Sequence, residues 1–447
     1  MSVAAETREE SDERSVPRPS LAVVHDVTSS SPLELVELLR ERCDIVWILD
    51  ASDPRLGSWA RLLPRFGTVV DVAGRDPVAV ACDLRAIGVD GVVAFTDSQL
   101  LTAARLGEEL GLEGNTSEVV LALTDKLVQR SILEGAGIPS PRHVAVPADT
   151  SVEELGNLLG GLRFPVVLKP QCGTGSRDTA RVPDLVGALA YLHEIEDDGG
   201  NRVDLIVEEW LEDAGAPGAS PFASYVSVEA VACRGVIVPL AITGKFPLAP
   251  PCRETGNFLP HHLPPDEAEA VLVLAVRAAQ ALNVTSGALH IEIKMTPDGP
   301  RIIEVNGRIG GGGIDTLFAS RHGRSLTEIA AAIAVGRPVD LEPVGQGGRN
   351  GPDDRDGGCE QKGAFDYAFF VQPPAQARVL TALDNLESLN ELDGVEESRV
   401  NRTIGDTLHW RDGSQGYVLS VRGSVDGLVE LGKVPERIES AITIGWR

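Results

Sequence analysis

Short apolar runs alternate with amphipathic stretches near the start of the chain. The apolar runs are rich in valine and isoleucine and begin at Leu21, Asp44, Gly67 and Gly91, and the stretches between them carry apolar residues at helical spacing. Strands that alternate with helices usually form a parallel sheet that is covered on both faces. The pattern therefore predicts an N-terminal doubly wound parallel α/β domain over residues 21–118.

Two polar residues, Asp97 and Ser98, directly follow the last of these strands. The carboxyl ends of parallel strands often carry ligand contacts, but aspartate and serine are also ordinary capping residues at the start of a helix. We favour the helix cap as the role of this pair. The first strand is not followed by the GxGxxG pattern, so the sequence gives no support for a dinucleotide site in this domain.

Two lysines stand at positions where a lysine is unusual. Lys126 lies in the first turn of a predicted helix, where a negative charge would be more favourable. Lys169 ends the apolar strand FPVVLK, and the loop that follows contains Gly173 and Gly175. A buried lysine needs an anionic partner, and glycines allow backbone N–H groups to approach phosphate oxygens closely. A phosphate site is one interpretation, and an exposed lysine with an ordinary hairpin loop is the alternative.

Residues 287–313 predict a β-hairpin with acidic strands. Two runs of alternating apolar and polar residues flank the sequence TPDG, which is typical of a tight turn. Glu292 lies on the first strand. Glu304, Asn306 and Arg308 lie on the second at intervals of two, so these three share a face. Two carboxylates and an amide oxygen suit a hard cation such as Mg²⁺, and the alternative is a solvated sheet face with salt bridges.

The two ends of the chain and one internal loop show no pattern that indicates a catalytic or binding site. Residues 1–20 are charged and poor in large apolar side chains, which is typical of a disordered tail, and residues 344–358 are typical of a flexible loop. The end of the chain, residues 359–447, predicts a small C-terminal α+β domain without an evident catalytic residue.

Composition narrows the class of protein. A chain of 447 residues with 43% hydrophobic and 24% charged residues is typical of a globular protein with about two to three domains. The net charge of −26 argues against nucleic acid or an anionic membrane surface as the main partner. Six scattered cysteines without a CxxC pair fit reduced thiols, and no apolar run reaches membrane-spanning length or resembles a signal peptide. We therefore expect a cytoplasmic protein, with a homodimer as the default assembly.

Five motifs, in the same order and at similar spacing, resemble those of the ATP-grasp carboxylate–amine ligases. They are DKLVQRSILEGAGIPSP, FPVVLKP with its glycine loop, VEEWL, YVSVE and EVNGR. The chain is most similar to the L-amino-acid ligase group, which includes the bacilysin-type dipeptide synthetases and carnosine synthase. The resemblance implies a multidomain α/β and α+β protein with an ATP-grasp domain over residues 119–340. Residues 140–210 would form its small lid subdomain.

The resemblance also implies roles for individual residues. The residues implied to bind ATP, at its phosphates or along its adenine, are Lys126, Lys169, Gly173, Thr174, Gly175, Ser176, Glu208, Glu209, Trp210 and Leu211. The implied ligands of Mg²⁺, with Mn²⁺ as an alternative ion, are Glu292, Glu304 and Asn306. Arg308 is the implied catalytic residue, because it would bind the substrate carboxylate and its acyl phosphate. The residues implied to line the amino-acid pocket are Glu229, Lys245, Glu254, Gly311 and Gly312.

Two positions depart from the pattern of the related ligases. Their ribose-binding acid has no clear match, because Tyr225 stands near its place, and Thr243 stands where they often carry histidine. The glycine run beside Arg308 predicts a roomy substrate pocket, so Gly312→Trp would be expected to reduce turnover of bulky substrates.

The implied activity is an ATP-dependent ligation of two small molecules. ATP would convert an amino-acid carboxylate into an acyl phosphate, an amine would attack it, and ADP and phosphate would be released as the amide bond forms. One alternative is a ligase of the same fold that acts on a non-amino-acid carboxylate, as in purine or cofactor pathways. The other is an ATP-binding regulatory protein without turnover, and the presence of Glu292, Glu304, Asn306 and Arg308 argues against it.

Overall fold

A computed structural model describes residues 18–27, 31–196, 202–215, 220–341, 364–376 and 378–447. Most of the predicted tail and the whole of the predicted loop at 344–358 lie outside these described residues. Within them, the chain forms one parallel sheet and three antiparallel sheets.

The N-terminal part contains the parallel sheet. Its elements are β1 (Ser20–Val24), α1 (Pro32–Leu39), β2 (Asp44–Leu49), α2 (Gly57–Leu62), β3 (Thr68–Asp71), α3 (Pro77–Ile87), β4 (Gly91–Ala94) and α4 (Asp97–Leu110). The strand order is β3-β2-β1-β4, and apolar side chains pack on both faces of the sheet. This confirms the predicted doubly wound parallel domain. The strand order reverses between β1 and β4, and their carboxyl ends form the crevice where such sheets usually place ligand contacts.

Two helices lead into a small antiparallel sheet, which we call the lid sheet. These elements are α5 (Ser117–Thr124), α6 (Lys126–Gly135), β5 (His143–Val146), α7 (Val152–Leu159), β6 (Val166–Pro170), β7 (Ala180–Val182), α8 (Leu185–Ile195) and β8 (Leu205–Glu209). The strand order is β5-β8-β6-β7. The predicted glycine loop connects β6 to β7, as expected for a hairpin connection.

The largest sheet begins with five strands between the lid and the C-terminal part. Its elements here are β9 (Tyr225–Cys233), β10 (Val236–Lys245), β11 (Gly256–Leu259), α9 (Pro265–Ala281), β12 (Gly287–Thr296), β13 (Gly299–Asn306), α10 (Ile314–His322) and α11 (Leu326–Ala334). Helix α9 packs on the apolar face of this sheet, where Val228, Ile291 and Val271 are fully buried. Because successive strand residues point to opposite faces, the polar residues of the same strands are collected on the other face.

The C-terminal part continues the same sheet. Its elements are β14 (Ala364–Val371), β15 (Arg378–Asp384), β16 (Val395–Val400), β17 (Thr407–Leu408), β18 (Leu419–Asp426), α12 (Gly427–Ala441) and β19 (Thr443–Trp446). The large sheet has the order β13-β12-β9-β10-β11-β14-β18-β16, and β17-β15-β19 form a separate small sheet. The predicted α+β composition is present, but the predicted separate domain shares its sheet with the preceding one, because β14 pairs with the edge of β11.

None of the helices in the described ranges combines the length and the apolar character that a bilayer crossing would require.

Candidate active site

Polar side chains cover one face of five neighbouring strands of the large sheet. The cross-strand registers place His290 opposite both Glu229 and Asn306, and Glu292 opposite both Ser227 and Glu304. Residues that are directly opposite in an antiparallel pair point to the same face. The polar residues collected on this face, which we call the polar floor, are Ser227, Glu229, Thr243, Lys245, Asn257, His290, Glu292, Glu304 and Asn306.

Glu292 and Glu304 face each other directly across β12 and β13. Like charges in this position repel, so each carboxylate needs a positive neighbour. Lys126 Nζ lies 2.9 Å from Glu304 Oε1, and His290 Nε2 lies 3.4 Å from Glu292 Oε1. Burial raises the pKa of the Glu292 carboxyl, but the hydrogen bond and charge of His290 lower it to about 2. Both strands thus present an anchored carboxylate to the same space.

The facing carboxylates fit a magnesium ion better than a protein-only metal cage. Within the described residues, no group of three His, Cys, Asp or Glu side chains is placed to hold a metal. Asn306 stands beside the pair and donates its Nδ2 to His290 O at 3.3 Å, so its Oδ1 is turned away from that bond. Mg²⁺ prefers few carboxylates, supplemented by other oxygens such as those of phosphates. Glu292, Glu304 and Asn306 provide that donor set.

His290 was missed by the sequence analysis. Its Nδ1 lies 2.9 and 3.0 Å from the two carboxylate oxygens of Glu229, deep in the sheet. Burial lowers the pKa of the imidazole, but the charge and hydrogen bonds of Glu229 raise it to about 9. His290 is therefore a buried cation between two carboxylates. Its position two residues before Glu292 is the signal that period-two spacing could have used.

Lys126 is buried, so the alternative of an exposed surface lysine is wrong. Asp125 caps α6 by accepting from the N–H groups of Leu127 and Val128, and this places the next side chain against the hairpin. Besides its ion pair with Glu304, Lys126 Nζ donates to Gly173 O at 2.8 Å. Burial lowers the pKa of this amine, but the carboxylate of Glu304 outweighs that and raises it. A fixed positive charge therefore joins the glycine loop to the polar floor.

Lys169 has the anionic partner that its position in an apolar strand required. Its Nζ lies 2.9 Å from Glu208 Oε2, and Arg130 Nε lies 2.7 Å from Glu208 Oε1. Burial raises the pKa of the Glu208 carboxyl, but the two cations lower it to about 2. Glu208 is thus an ionised bridge between α6 and the lid sheet. Arg130 was missed by the sequence analysis, because nothing in the local pattern distinguishes it from a surface arginine.

The VEEWL segment has one backbone N–H without an acceptor among the described residues. The N–H of Glu209 donates to Arg142 O at 2.9 Å, and the N–H of Trp210 donates to Pro165 O at 3.0 Å. Among the described residues, none accepts from the N–H of Leu211. Any ligand that reads this segment through a backbone N–H would therefore bind at Leu211.

Arg308 joins three parts of the chain. Its Nε lies 2.6 Å from Asp97 Oδ2, and its Nη2 donates to Thr174 Oγ1 in the glycine loop at 3.0 Å. The helix cap that we favoured for Asp97 is wrong, because Thr96 occupies the N-cap position of α4 and the Asp97 carboxylate pairs with Arg308 instead. A contact between residues 211 positions apart leaves no local pattern in the sequence.

A C-terminal segment holds the far side of the glycine loop. The N–H of Ser414 donates to Gly175 O at 2.8 Å, and Arg411 Nε lies 2.6 Å from Asp178 Oδ1. Trp410 is buried in the core of the lid sheet, and Ser414 Oγ accepts from the N–H of Glu254 at 2.9 Å. The C-terminal part, in which the sequence analysis found no evident catalytic residue, therefore borders the site.

Replacing Arg411 with alanine is expected to loosen the glycine loop. The side chain also donates to the carbonyl oxygens of Glu194 and Ile195, so the change removes several charge-assisted bonds at once. A loss of about 1.5 kcal/mol would speed hydrogen exchange of the amides in residues 173–178 roughly tenfold. Arg399→Ala, at an exposed arginine of β16, is the control. Equal exchange rates in both variants would contradict the role of Arg411.

Two of the predicted pocket residues, Glu229 and Lys245, belong to the polar floor, and Glu254 lies next to Lys245. Lys245 Nζ is 3.2 Å from Glu254 Oε1, which also accepts from the Tyr225 hydroxyl at 3.5 Å. Glu229 is fully buried, and its carboxylate contacts His290 and the Thr243 Oγ1, which lies at 3.3 Å. Lys245 and Glu254 are thus an opposite-charge pair at the end of the floor, whereas Glu229 is an interior support.

The prediction of space at the glycine run is wrong at Gly312. A Cβ there would lie 2.6 Å from Asn257 Nδ2 and 3.1 Å from the Phe370 ring, and the backbone has a φ of +63°. Gly312→Trp is therefore expected to disturb the backbone before it tests substrate size. At Gly311 no atom lies within 4 Å of such a Cβ, so the space is at this neighbouring position.

Gly312→Ala is expected to lower the free energy of unfolding by about 1–3 kcal/mol, because its backbone conformation strains any residue with a Cβ. Gly311→Ala is the matched control and should change that free energy by less than about 0.5 kcal/mol. Urea unfolding of both variants measures the difference. Similar values for the two variants would show that the positive φ and the Asn257 contact do not constrain this turn.

Comparison with known sequences finds relatives among amino-acid ligases. A scan against protein families found none that matches the chain. An L-arginine-specific L-amino acid ligase of Bacillus subtilis is 29% identical over 259 residues, which are 56% of this chain and 59% of that ligase. Carnosine synthase 1 of Homo sapiens is 24% identical over 273 residues, which are 57% of this chain and 32% of that synthase. The matched region thus spans less than two thirds of either relative.

Comparison with solved structures covers nearly the whole chain. A crystal structure of an L-amino acid ligase from Bacillus licheniformis has a TM-score of 0.71 at 18% identity, with coverage of 97% of this chain and 100% of that one. The biotin carboxylase domain of the Hydrogenobacter thermophilus 2-oxoglutarate carboxylase, solved with MgADP and bicarbonate, has a TM-score of 0.62 at 15% identity, with coverage of 95% and 90%. These likenesses confirm the predicted ATP-grasp fold, and the sequence relatives confirm the predicted resemblance to L-amino-acid ligases.

Proposed function

We propose that the protein is an ATP-dependent carboxylate–amine ligase that joins an amino acid to an amine through an acyl phosphate. One observation carries this proposal: the facing carboxylates Glu292 and Glu304 lie beside the glycine loop, to which the buried Lys126 and the partly buried Arg308 both donate hydrogen bonds. A carboxylate is a poor electrophile, and ATP and the carboxylate are both anions. Their reaction therefore needs fixed positive charge at the point of transfer, which this arrangement supplies.

ATP would lie between the lid sheet and the polar floor. Lys126 and Lys169 would bind its phosphates, and the glycine loop from Gly173 to Ser176 would close over them. Leu211 would receive the adenine through its free N–H. Glu208 would support ATP binding without contacting the phosphates, because its carboxylate holds Lys169 and Arg130 in place through ion pairs.

Glu292, Glu304 and Asn306 would hold Mg²⁺, with Mn²⁺ as the alternative ion. A bound divalent ion would neutralise charge on the phosphates and orient them for transfer. The contribution of the chain is to fix the ligands: Lys126 anchors Glu304, and His290 anchors Glu292. A magnesium-containing relative of the same fold, the carboxylase domain solved with MgADP, supports this choice of ion.

Arg308 would bind the substrate carboxylate and then its acyl phosphate. The carboxylate oxygen attacks the γ-phosphorus, and ADP leaves with the electrons of the broken P–O bond. The amine then attacks the acyl carbon, and phosphate leaves as the amide bond forms. Arg308 holds the glycine loop through Thr174, so the group that binds the intermediate also closes the site against water.

The activated acid would be an amino acid. Lys245 and Glu254 form an opposite-charge pair at the end of the polar floor, and each group matches one charge of a zwitterion. The open position at Gly311 gives room for its side chain. Glu229 would contribute by keeping His290 charged rather than by contacting substrate. The name of the Bacillus subtilis relative, an L-amino acid ligase, supports this substrate class.

The proposed ligase would be organised around one ATP-grasp domain with a lid. We assign residues 119–340 to the ATP-grasp domain and residues 140–210 to its lid. The reaction would take place in the cytoplasm, where ATP is abundant, on small-molecule substrates, and the default assembly is a homodimer.

A substrate screen tests the proposed function. ADP release is measured across pairs of amino acids with MgATP, and the products are identified by mass. We expect at least one pair to raise ADP release and to give a product whose mass is the sum of the two amino acids minus water. If only other carboxylates raise ADP release, the amino-acid assignment is wrong. If no carboxylate does so, even with hydroxylamine as the acceptor, the protein is not a ligase.

A further inference from the structure

A cavity of about 430 Å³ lies between the glycine loop and the C-terminal part. Its lining includes Arg177, which directly follows the loop, and Arg402, Asp406 and Asp412 of the C-terminal part. None of the residues that we assign to ATP, Mg²⁺ or the amino-acid substrate lines it. The four charged side chains are exposed or half-buried, so a molecule in solution can reach them.

The charges around this cavity do not neutralise one another. Neither arginine forms an ion pair with a carboxylate in the part of the chain that the structure describes, and Arg402 donates only its Nη2, to a backbone carbonyl oxygen at 2.7 Å. Asp406 and Asp412 each use one oxygen to accept from a backbone N–H, at 2.9 and 3.1 Å. Two positive and two negative groups are therefore available to a ligand.

A ligand that satisfies both signs of charge is a zwitterion. A carboxylate accepts charge-assisted hydrogen bonds from guanidinium groups, and an ammonium group donates them to carboxylates. A purely anionic ligand would be repelled by the aspartates, and a purely cationic one by the arginines. Because the opposite charges of the wall do not pair with each other, the charges of the ligand must also lie apart. A dipeptide separates its ammonium and carboxylate groups by a peptide bond, and the volume suits a small organic molecule.

Arg177 connects this cavity to the glycine loop. The neighbouring Ser176 and Asp178 have positive φ values of +55° and +48°, which cost free energy in residues that carry a side chain. Contacts with the C-terminal part help to hold this conformation, because the N–H of Ser414 donates to Gly175 O at 2.8 Å. A ligand that bridges Arg177 to the C-terminal part adds a contact between the same two segments, so it should slow the opening of the loop.

We propose that this cavity binds a zwitterion of dipeptide size, and that the bound peptide holds the glycine loop against the C-terminal part. Its carboxylate binds Arg177 and Arg402, and its ammonium group binds Asp406 and Asp412. The site itself is inferred from the cavity alone. Only the source of the ligand rests on the proposed ligase function, because a ligase of amino acids would make such peptides and would bind its own product here.

L-Alanyl-L-alanine is the probe, in the absence of nucleotide. N-Acetyl-L-alanyl-L-alanine, which lacks the ammonium group, and L-alanyl-L-alaninamide, which lacks the carboxylate, are the matched ligand controls. Calorimetric titration measures affinity, and hydrogen exchange locates the site. We expect the wild type to bind the probe with slower exchange in residues 173–178 and 402–408. Each capped peptide should bind at least about tenfold more weakly, because it loses charge-assisted contacts.

Arg402→Gln is expected to weaken binding of the probe at least about tenfold and to remove the protection of residues 402–408. Arg399→Gln, at an exposed arginine of β16, is the control and should bind as the wild type does. Arg177→Gln serves if the first variant does not fold, because its side chain is exposed and forms no ion pair with the described residues. The same loss of affinity is expected for it.

The outcomes separate this inference from the proposed function. Unchanged affinity in a folded cavity variant, or protection confined to residues 225–257 of the polar floor, would overturn the site. Equal binding of a capped peptide would overturn the zwitterion, and no binding to the wild type at millimolar concentration would overturn both. A protein that binds the probe here but gives no product in the substrate screen keeps the site and loses the ligase function. A protein that makes amides without binding the probe loses only the site.

Discussion

Replacing Glu304 with glutamine is expected to reduce amide synthesis by at least about 10³-fold. The change removes one of the two facing carboxylates, and metal stabilisation of a transferring phosphoryl group contributes several kcal/mol. Glutamine retains an oxygen that accepts from Lys126 Nζ, so the buried amine keeps a hydrogen bond. The measurement is the rate of ADP release at saturating ATP with increasing Mg²⁺. The variant should also require a higher Mg²⁺ concentration for half-maximal rate.

Asp298→Asn is the matched control for this prediction. Asp298 lies in the turn of the same hairpin, and its side chain is 83% exposed at the far end from the site. It removes one negative charge from the hairpin without touching the facing pair, so its rate should stay within about twofold of wild type. Near-normal ADP release by the Glu304 variant would show that the carboxylate does not hold a metal. A comparable loss in both variants would point to the charge of the hairpin as a whole.

Local periodicity explains why the fold could be predicted. The Val- and Ile-rich runs that begin at Leu21 and Asp44 form neighbouring parallel strands, because each is apolar on both faces and can only be buried between helices. The acidic hairpin forms as period-two spacing indicates, but Glu292 pairs with Glu304 because a β-bulge shifts the register next to Ile293, and sequence periodicity does not show this bulge. The shared sheet with the C-terminal part could not be predicted, because the pairing of β11 with β14 depends on an edge that only the folded protein exposes.

The site was predicted where a residue conflicts with its local surroundings. Lys126 in a first helical turn and Lys169 in an apolar strand are both unfavourable alone, and both proved to be paired and buried. Asp97 and Arg411 caused no such conflict, because an acid near a helix start and an exposed-looking arginine are ordinary. Their partners lie 211 and 233 positions away in sequence, respectively. Long-range pairs between compatible residues leave no trace in local spacing.

Glu208→Gln is expected to lower the free energy of unfolding by about 3–5 kcal/mol. The carboxylate bridges Arg130 and Lys169, and all three side chains are buried, so its neutral replacement leaves two cations sharing one weak acceptor. Glu209→Gln is the matched control, because the adjacent carboxylate pairs with Arg142, a mostly exposed side chain. That substitution should cost less than about 1 kcal/mol. Urea unfolding at pH 7 compares the two, and similar midpoints would contradict a structural role for the buried bridge.

The same bridge predicts how stability depends on pH. Folding lowers the pKa of the Glu208 carboxyl from an ordinary 4.5 to about 2, so folding favours the ionised form. Its contribution is complete above pH 4.5 and is lost as the pH falls toward 2. The difference in unfolding free energy between wild type and Glu208→Gln should therefore be constant from about pH 5 to 7 and should shrink at lower pH. A constant difference down to about pH 2.5 would show that the carboxyl is not ionised in the folded protein, and that Arg130 and Lys169 are balanced by another group.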